Sequence, residues 1–87
     1  MRIDKFLKVS RLIKRRTLAK EMTDKGRVLI NNKPSKAGTA VSVGDEITLN
    51  YGHRIVIVKV NALLEHAAKD DASKMYEVIE DKKREEI

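Results

Sequence analysis

The sequence predicts an α+β fold: one small domain in which two N-terminal helices pack on a small, curved antiparallel sheet, followed by a charged C-terminal tail. Three observations predict it. Apolar residues recur at helical spacing as far as Lys25, they alternate with a period of two from Arg27 onward, and Gly or Asn marks each expected turn. With 87 residues the chain has the length of a single domain. Its expected division is 1–61 for the helix-and-sheet unit and 62–87 for an extension carrying a short strand and a charged tail.

Each element has its own signals. Asp4 is expected to cap a first helix that turns Ile3, Phe6, Leu7 and Val9 inward and Lys5 and Lys8 outward. Ser10 and the run Lys14-Arg15-Arg16 mark a connection. Thr17 is the expected N-cap of a second helix with Leu18, Ala19 and Met22 as its buried stripe, and Gly26 is placed to stop it after Lys25. On that helix Lys20 with Asp24, and Glu21 with Lys25, stand at i,i+4, where a pair contributes about 0.2–0.5 kcal/mol. Strand character follows at Val28 to Ile30, with Asn31-Asn32-Lys33 as a turn, because Asn tolerates positive φ. Pro34 limits pairing beyond it. Val43-Gly44-Asp45 turns into a strand at Glu46 to Tyr51, and Gly52-His53 separates that from Arg54 to Val60. Ala62 to Lys74 reads as polar and loosely helical, Met75 to Ile79 as a short strand, and Glu80 to Ile87 as frayed or helical.

Composition narrows the chemistry. The chain has no cysteine, so disulfides and thiolate metal sites are excluded. Its longest uninterrupted apolar run, Ile55 to Val58, is four residues, so neither a signal peptide nor a membrane span is expected, and the protein is expected in the cytoplasm. The histidines are His53 and His66 alone, and no His/Asp/Glu grouping stands at metal-ligand spacing. Asp70-Asp71 and Glu85-Glu86 are adjacent pairs that point to different faces of any regular element. The glycines punctuate turns and form no phosphate loop. The expectation is no catalysis and no cofactor.

The charge is the informative signal. The net charge is +6, but residues 1–36 carry 12 basic against three acidic residues, a local +9. Residues 37–61 balance, and residues 62–87 hold five basic and eight acidic residues, a local −3. A segment this basic attracts a polyanion and steers it. The aromatics are Phe6, Tyr51 and Tyr76 alone, with Phe6 expected in the core, so base stacking is disfavoured. Contact with phosphates and 2′-hydroxyls of a folded RNA, recognised by shape, is what remains. Engaging six to eight phosphates would give a log–log salt slope of roughly −4 to −7.

The blocks Arg2-Ile3-Asp4-Lys5-Phe6-Leu7, Ser10-Arg11, Arg15-Arg16-Thr17-Leu18-Ala19, Gly26-Arg27-Val28-Leu29-Ile30-Asn31 and Val43-Gly44-Asp45-Glu46-Ile47 lie in one order over residues 2–60. Together they resemble the alpha-L RNA-binding domain first seen in the fourth protein of the small ribosomal subunit. In that family the face of both helices, with the start of the following strand, meets structured RNA. Carried onto this chain, the resemblance nominates Arg2, Lys5, Arg11, Lys14, Arg15, Arg16 and Lys20, with Lys33 and Lys36 at the edge. Arg2 can instead pair with Asp4.

The short acidic ending and the Met1-to-Ala19 stretch are similar to the stand-alone RqcP family of ribosome-associated quality control, related to the small heat-shock ribosome-binding protein. That resemblance implies a non-enzymatic monomer that binds obstructed large ribosomal subunits. It implies contact with large-subunit rRNA and P-site peptidyl-tRNA, in support of alanine tailing directed by RqcH on the same subunit, with no membrane partner. The alternatives are a general heat-shock-type recycling factor for blocked large subunits, an RNA-binding accessory subunit of an RNA-modifying enzyme, and a helix-turn-helix DNA regulator. The last would need a second helix free to read bases.

Overall fold

Ile3, Phe6 and Leu7 stand at helical spacing, and all three are fully buried on the inner face of helix α1 (Ile3–Val9). The computed structural model that shows this describes residues 1–83. Arg2, not Asp4, occupies the N-cap, and it makes no side-chain cap. The first helical N–H groups are met instead by a distant loop. Ile3 N–H donates to the Thr39 carbonyl at 2.8 Å and Asp4 N–H to that of Ala37 at 3.3 Å. Asp4 is thereby released from capping and buried.

A buried Ser10 ends α1, and Arg11 takes a left-handed φ of 64° that glycine usually holds after a helix. Helix α2 (Arg16–Asp24) starts two residues before the expected position, with Arg15 at the N-cap and Thr17 inside the helix. Its stop is the one expected. Gly26, at φ 73°, lets Arg27 N–H reach the Met22 carbonyl (2.9 Å) and its own N–H reach that of Thr23 (3.0 Å). Ala19 and Met22 are buried, but Leu18 is 45% exposed, so the stripe is narrower than its apolar residues suggest. Neither i,i+4 pair of α2 closes into an ion pair among the described residues.

Strands β1 (Val28–Ile30), β2 (Lys33–Pro34), β3 (Glu46–Asn50), β4 (Arg54–Val60) and β5 (Tyr76–Lys83) form one sheet in the order β2-β1-β3-β4-β5. Every neighbouring pair is antiparallel. Asn31 and Asn32, at φ 51° and 66°, form the two-residue turn between β1 and β2. Alternation buries Val28, Ile47, Leu49, Val56, Val58 and Val60 in one cluster with Ile3, Phe6, Leu7, Ala19 and Met22 of the helices.

The C-terminal region departs most from expectation. The segment 62–74 is helical only at α3 (Lys69–Ala72), which a 3-10 turn over Ser73–Met75 extends. Met75 belongs to that turn and plugs the core, fully buried. The strand is eight residues long, not five, so Glu80 to Lys83 are neither frayed nor helical. Pairing with β4 extends it, from Val60↔Tyr76 to Arg54↔Lys83, with a register shift that leaves Ile79 as an extra residue. The rest of the expected tail, 84–87, lies outside the described residues.

Candidate nucleic-acid interface

The nominated cations, Lys33 on strand β2 excepted, stand on the ends and outer faces of α1 and α2 and in the loops beside them. Arg2, Arg11, Lys14, Arg15, Arg16, Lys20, Lys33 and Lys36 are all exposed, and Lys5 is half-buried. They fall into distinct groups.

The first is organised by Asp4, only 3% exposed and second in α1. Arg2 Nε donates to Asp4 Oδ1 at 3.1 Å and its Nη2 to Oδ2 at 3.2 Å. Arg16, at the start of α2, donates Nε to Oδ2 at 3.2 Å and Nη2 to Oδ1 at 3.5 Å. The Lys5 N–H adds a fifth bond, at 2.8 Å to Oδ1. Burial alone would push this carboxyl up. Hydrogen bonds from Arg16 and the Lys5 N–H, with the charges of Arg16 and Arg2, outweigh it and hold the group below its ordinary value. Pairing of Arg2 with Asp4 therefore occurs, yet both guanidiniums remain about half exposed. Arg16, which has no partner nearby in sequence, has one in space.

The second group lines an open groove of about 500 Å³ at the end of α1. Lys8, Arg11 and Lys14 face Glu65, His66 and Ala67 across it. Lys8 was not among the nominated residues. The signal for it lies in the sequence, since it stands three residues from both Lys5 and Arg11 on the outer face of α1. Glu65 is the acidic partner of Lys5, sixty residues away, and the Lys5 ammonium holds its carboxyl below the ordinary value. No spacing rule points to that pair.

Lys36 belongs to the loop that seats Arg2: its N–H donates to Thr39 Oγ1 at 2.9 Å, and the Arg2 guanidinium lies over Gly38 in the same turn. Lys20 follows Arg16 by four residues on α2, which places it on the same face. Lys33 stands apart, on edge strand β2 beyond the Asn turn. Arg11, Lys14, Arg15, Lys20, Lys33 and Lys36 form no ion pair among the described residues. Such a surface offers planar guanidinium forks and point ammonium charges, which suit phosphate groups.

The aromatics do not join it. Phe6 is fully buried, and the Tyr51 hydroxyl donates to the Leu12 carbonyl at 2.9 Å. Burial, then the charge of Tyr76, raises the pKa of that hydroxyl. Among the described residues no three His, Cys, Asp or Glu side chains cluster as metal ligands, and no helix is long and apolar enough to cross a membrane.

Comparisons with known proteins match this geometry. Residues 1–47 match the S4 domain. The chain is 52% identical to the RQC P-site tRNA stabilizing factor of Bacillus subtilis, over 95% of this chain and 96% of the relative. It is 36% identical to a heat shock protein 15 homolog of Haemophilus influenzae, over the whole of this chain and 69% of that one. The solved trimeric heat shock protein 15 of Vibrio cholerae superposes with a TM-score of 0.84 at 29% identity, covering 90% of this chain and 80% of that one. Sequence blocks, helix-and-sheet topology and these likenesses agree: the chain belongs to the S4 domain family and, within it, to the group of the RQC P-site tRNA stabilizing factors.

Proposed function

We propose that the chain is a non-enzymatic RNA-binding factor of ribosome-associated quality control. It binds obstructed large ribosomal subunits in the cytoplasm as a monomer, contacts rRNA and P-site peptidyl-tRNA, and supports RqcH-directed alanine tailing of the stalled chain. The observation that carries this reading is the set of exposed cations around α1 and α2 that no acidic side chain of the described chain neutralises. Relatives named for stabilising P-site tRNA over nearly the same length support the choice of partner. The mechanism is electrostatic. Two RNA backbones repel each other, and a small basic wedge between them neutralises both and lets the tRNA rest in place. Residues 1–61 carry the RNA contacts in this scheme, through Arg2, Lys5, Arg11, Lys14, Arg15, Arg16 and Lys20, with Lys33 and Lys36 at the margin.

The test is to purify the tagged protein from cells and sequence the RNA bound to it. Intact large-subunit rRNA together with tRNA, and little small-subunit rRNA, is the expected result. Large-subunit rRNA without tRNA would favour the general recycling role, for which the likeness to a heat-shock relative, over 69% of that protein, speaks. Stoichiometric recovery of an RNA-modifying enzyme would make the chain an accessory subunit. Absence of rRNA would overturn the proposal.

A further inference from the structure

We infer that Asp4 is a positioning residue for RNA: its buried carboxylate joins the Arg2 and Arg16 guanidiniums into one preset fork that meets phosphate. This deepens the proposed RNA-binding function and rests on it. A carboxylate has about four lone-pair sites. Five N–H donors converge on Asp4, two from each arginine and one from the Lys5 backbone. At 3% exposure the carboxylate is saturated from within and has nothing left to offer water or RNA.

The two guanidiniums are differently placed. Each has five N–H donors and turns two toward Asp4, so three remain on a side chain about half exposed. They come from separate elements, Arg2 from the N-cap of α1 and Arg16 from the first turn of α2. Asp4 is what brings them to one point. Arg2 lies beside Gly38, where an added Cβ would come to an ordinary van der Waals distance of 3.8 Å from its Cζ. A long cationic side chain ordinarily loses rotamer freedom when it grips a ligand, and one locked beforehand loses less. The arrangement carries an electrostatic penalty. On a surface meant for a polyanion, Asp4 cancels one of the two positive charges. A carboxylate kept there contributes through geometry, since its charge acts against binding.

That opposition supplies the test. In the full chain, Asp4→Asn keeps the side-chain volume and one acceptor oxygen for the Lys5 N–H, but it cannot receive both forks. It also raises the net charge by one. If charge alone mattered, binding to purified large ribosomal subunits would tighten. Positioning predicts weaker binding by about tenfold at fixed salt, with a log–log salt slope shallower by roughly one to two units, in a variant whose circular dichroism is native. Equal or tighter binding overturns the inference.

If Asp4→Asn does not fold, Arg2→Lys and Arg16→Lys serve instead. Each retains the charge and loses the planar fork, so each is expected to bind about threefold or more weakly. Unchanged binding in both overturns the inference. A wild-type chain that ignores the subunits altogether overturns the RNA-binding proposal, whereas a wild type that binds beside an unaffected Asp4→Asn removes only the role of Asp4.

Discussion

The helical face and the outer sheet handle their charges in opposite ways. Across β3, β4 and β5 the register sets Glu46 opposite Lys59 and Lys59 opposite Glu77, while Arg54 meets Asp81 at 3.0 Å. There, Lys59 stands between two acidic residues at cross-strand spacing, and Arg54–Asp81 closes as an ion pair. Around α1 and α2, Arg11, Lys14, Arg15 and Lys20 have no such partners among the described residues. The lesson is that net charge alone is a poor guide to a binding surface. The sheet sets several cations opposite anions, whereas the helices also carry a group of cations, Arg11, Lys14, Arg15 and Lys20, with no acidic partner among the described residues. Between the two lies one shared core, built by Phe6 from one end of the sequence and Met75 from the other.

The shared core gives the largest expected effect. Phe6→Ala should lower unfolding free energy by about 3–5 kcal/mol in denaturant titration, as a large cavity opens between helix and sheet. A loss under about 1 kcal/mol would mean that the two regions do not depend on one core. Arg16→Ala comes next, at about 1–3 kcal/mol of stability, because it removes two hydrogen bonds from a buried carboxylate. Arg15→Ala, one residue away and unpaired, should leave the melting temperature unchanged. Equal melting temperatures for the two variants would show that the Asp4 contacts contribute nothing.

Replacing Arg11, Lys14 and Arg15 together with Ala sharpens the contrast in binding. The salt slope should lose about two to three units, at roughly 0.7–0.9 per phosphate contact. Replacing Lys59, Lys82 and Lys83 instead should leave the slope nearly intact, and equal losses would erase the distinction between the faces. Acid should expose the same difference through Asp4. Its folded pKa is lowered, so the stability it contributes is complete above its unfolded value of about 3.9 and is lost as pH falls through the folded one. Melting temperatures between about pH 2 and 6 should drop more steeply for wild type than for Asp4→Asn. Parallel curves would remove Asp4 from the acid response. The smallest effect belongs to Asp81→Asn, which breaks a half-exposed pair and should cost at most about 1 kcal/mol. A larger loss would show that β5 depends on that ion pair more than on its ladder.

Much of this molecule was legible before folding. Gly26 as helix stop, the Asn31-Asn32 turn, Phe6 in the core and the pairing of the strands around Ile47 and Val58 follow from residue spacing and local backbone preference. The basic residues were legible as a population, Lys8 among them as an outward residue of the first helix. What escaped was each partner supplied from far along the chain. Asp4 looks like a cap until Ala37 and Thr39 carbonyls take over the helix start. Thr17 looks like one until Arg15 is found in extended backbone ahead of α2. Leu18 looks buried because periodicity cannot tell how wide a stripe the sheet will cover.

By itself the sequence determined the element types from α1 to β4, the turns between them, most of their apolar faces and a +9 excess in its first 36 residues. These depend on side-chain size, backbone freedom and charge within a few neighbours. Tertiary structure alone decided that Asp4 would hold Arg16 as well as Arg2, that Lys5 would meet Glu65, and that β5 would continue to Lys83. Those outcomes are set by hydrogen-bond and charge partners that only folding brings within reach, and a buried donor or acceptor must find a partner wherever the chain places one.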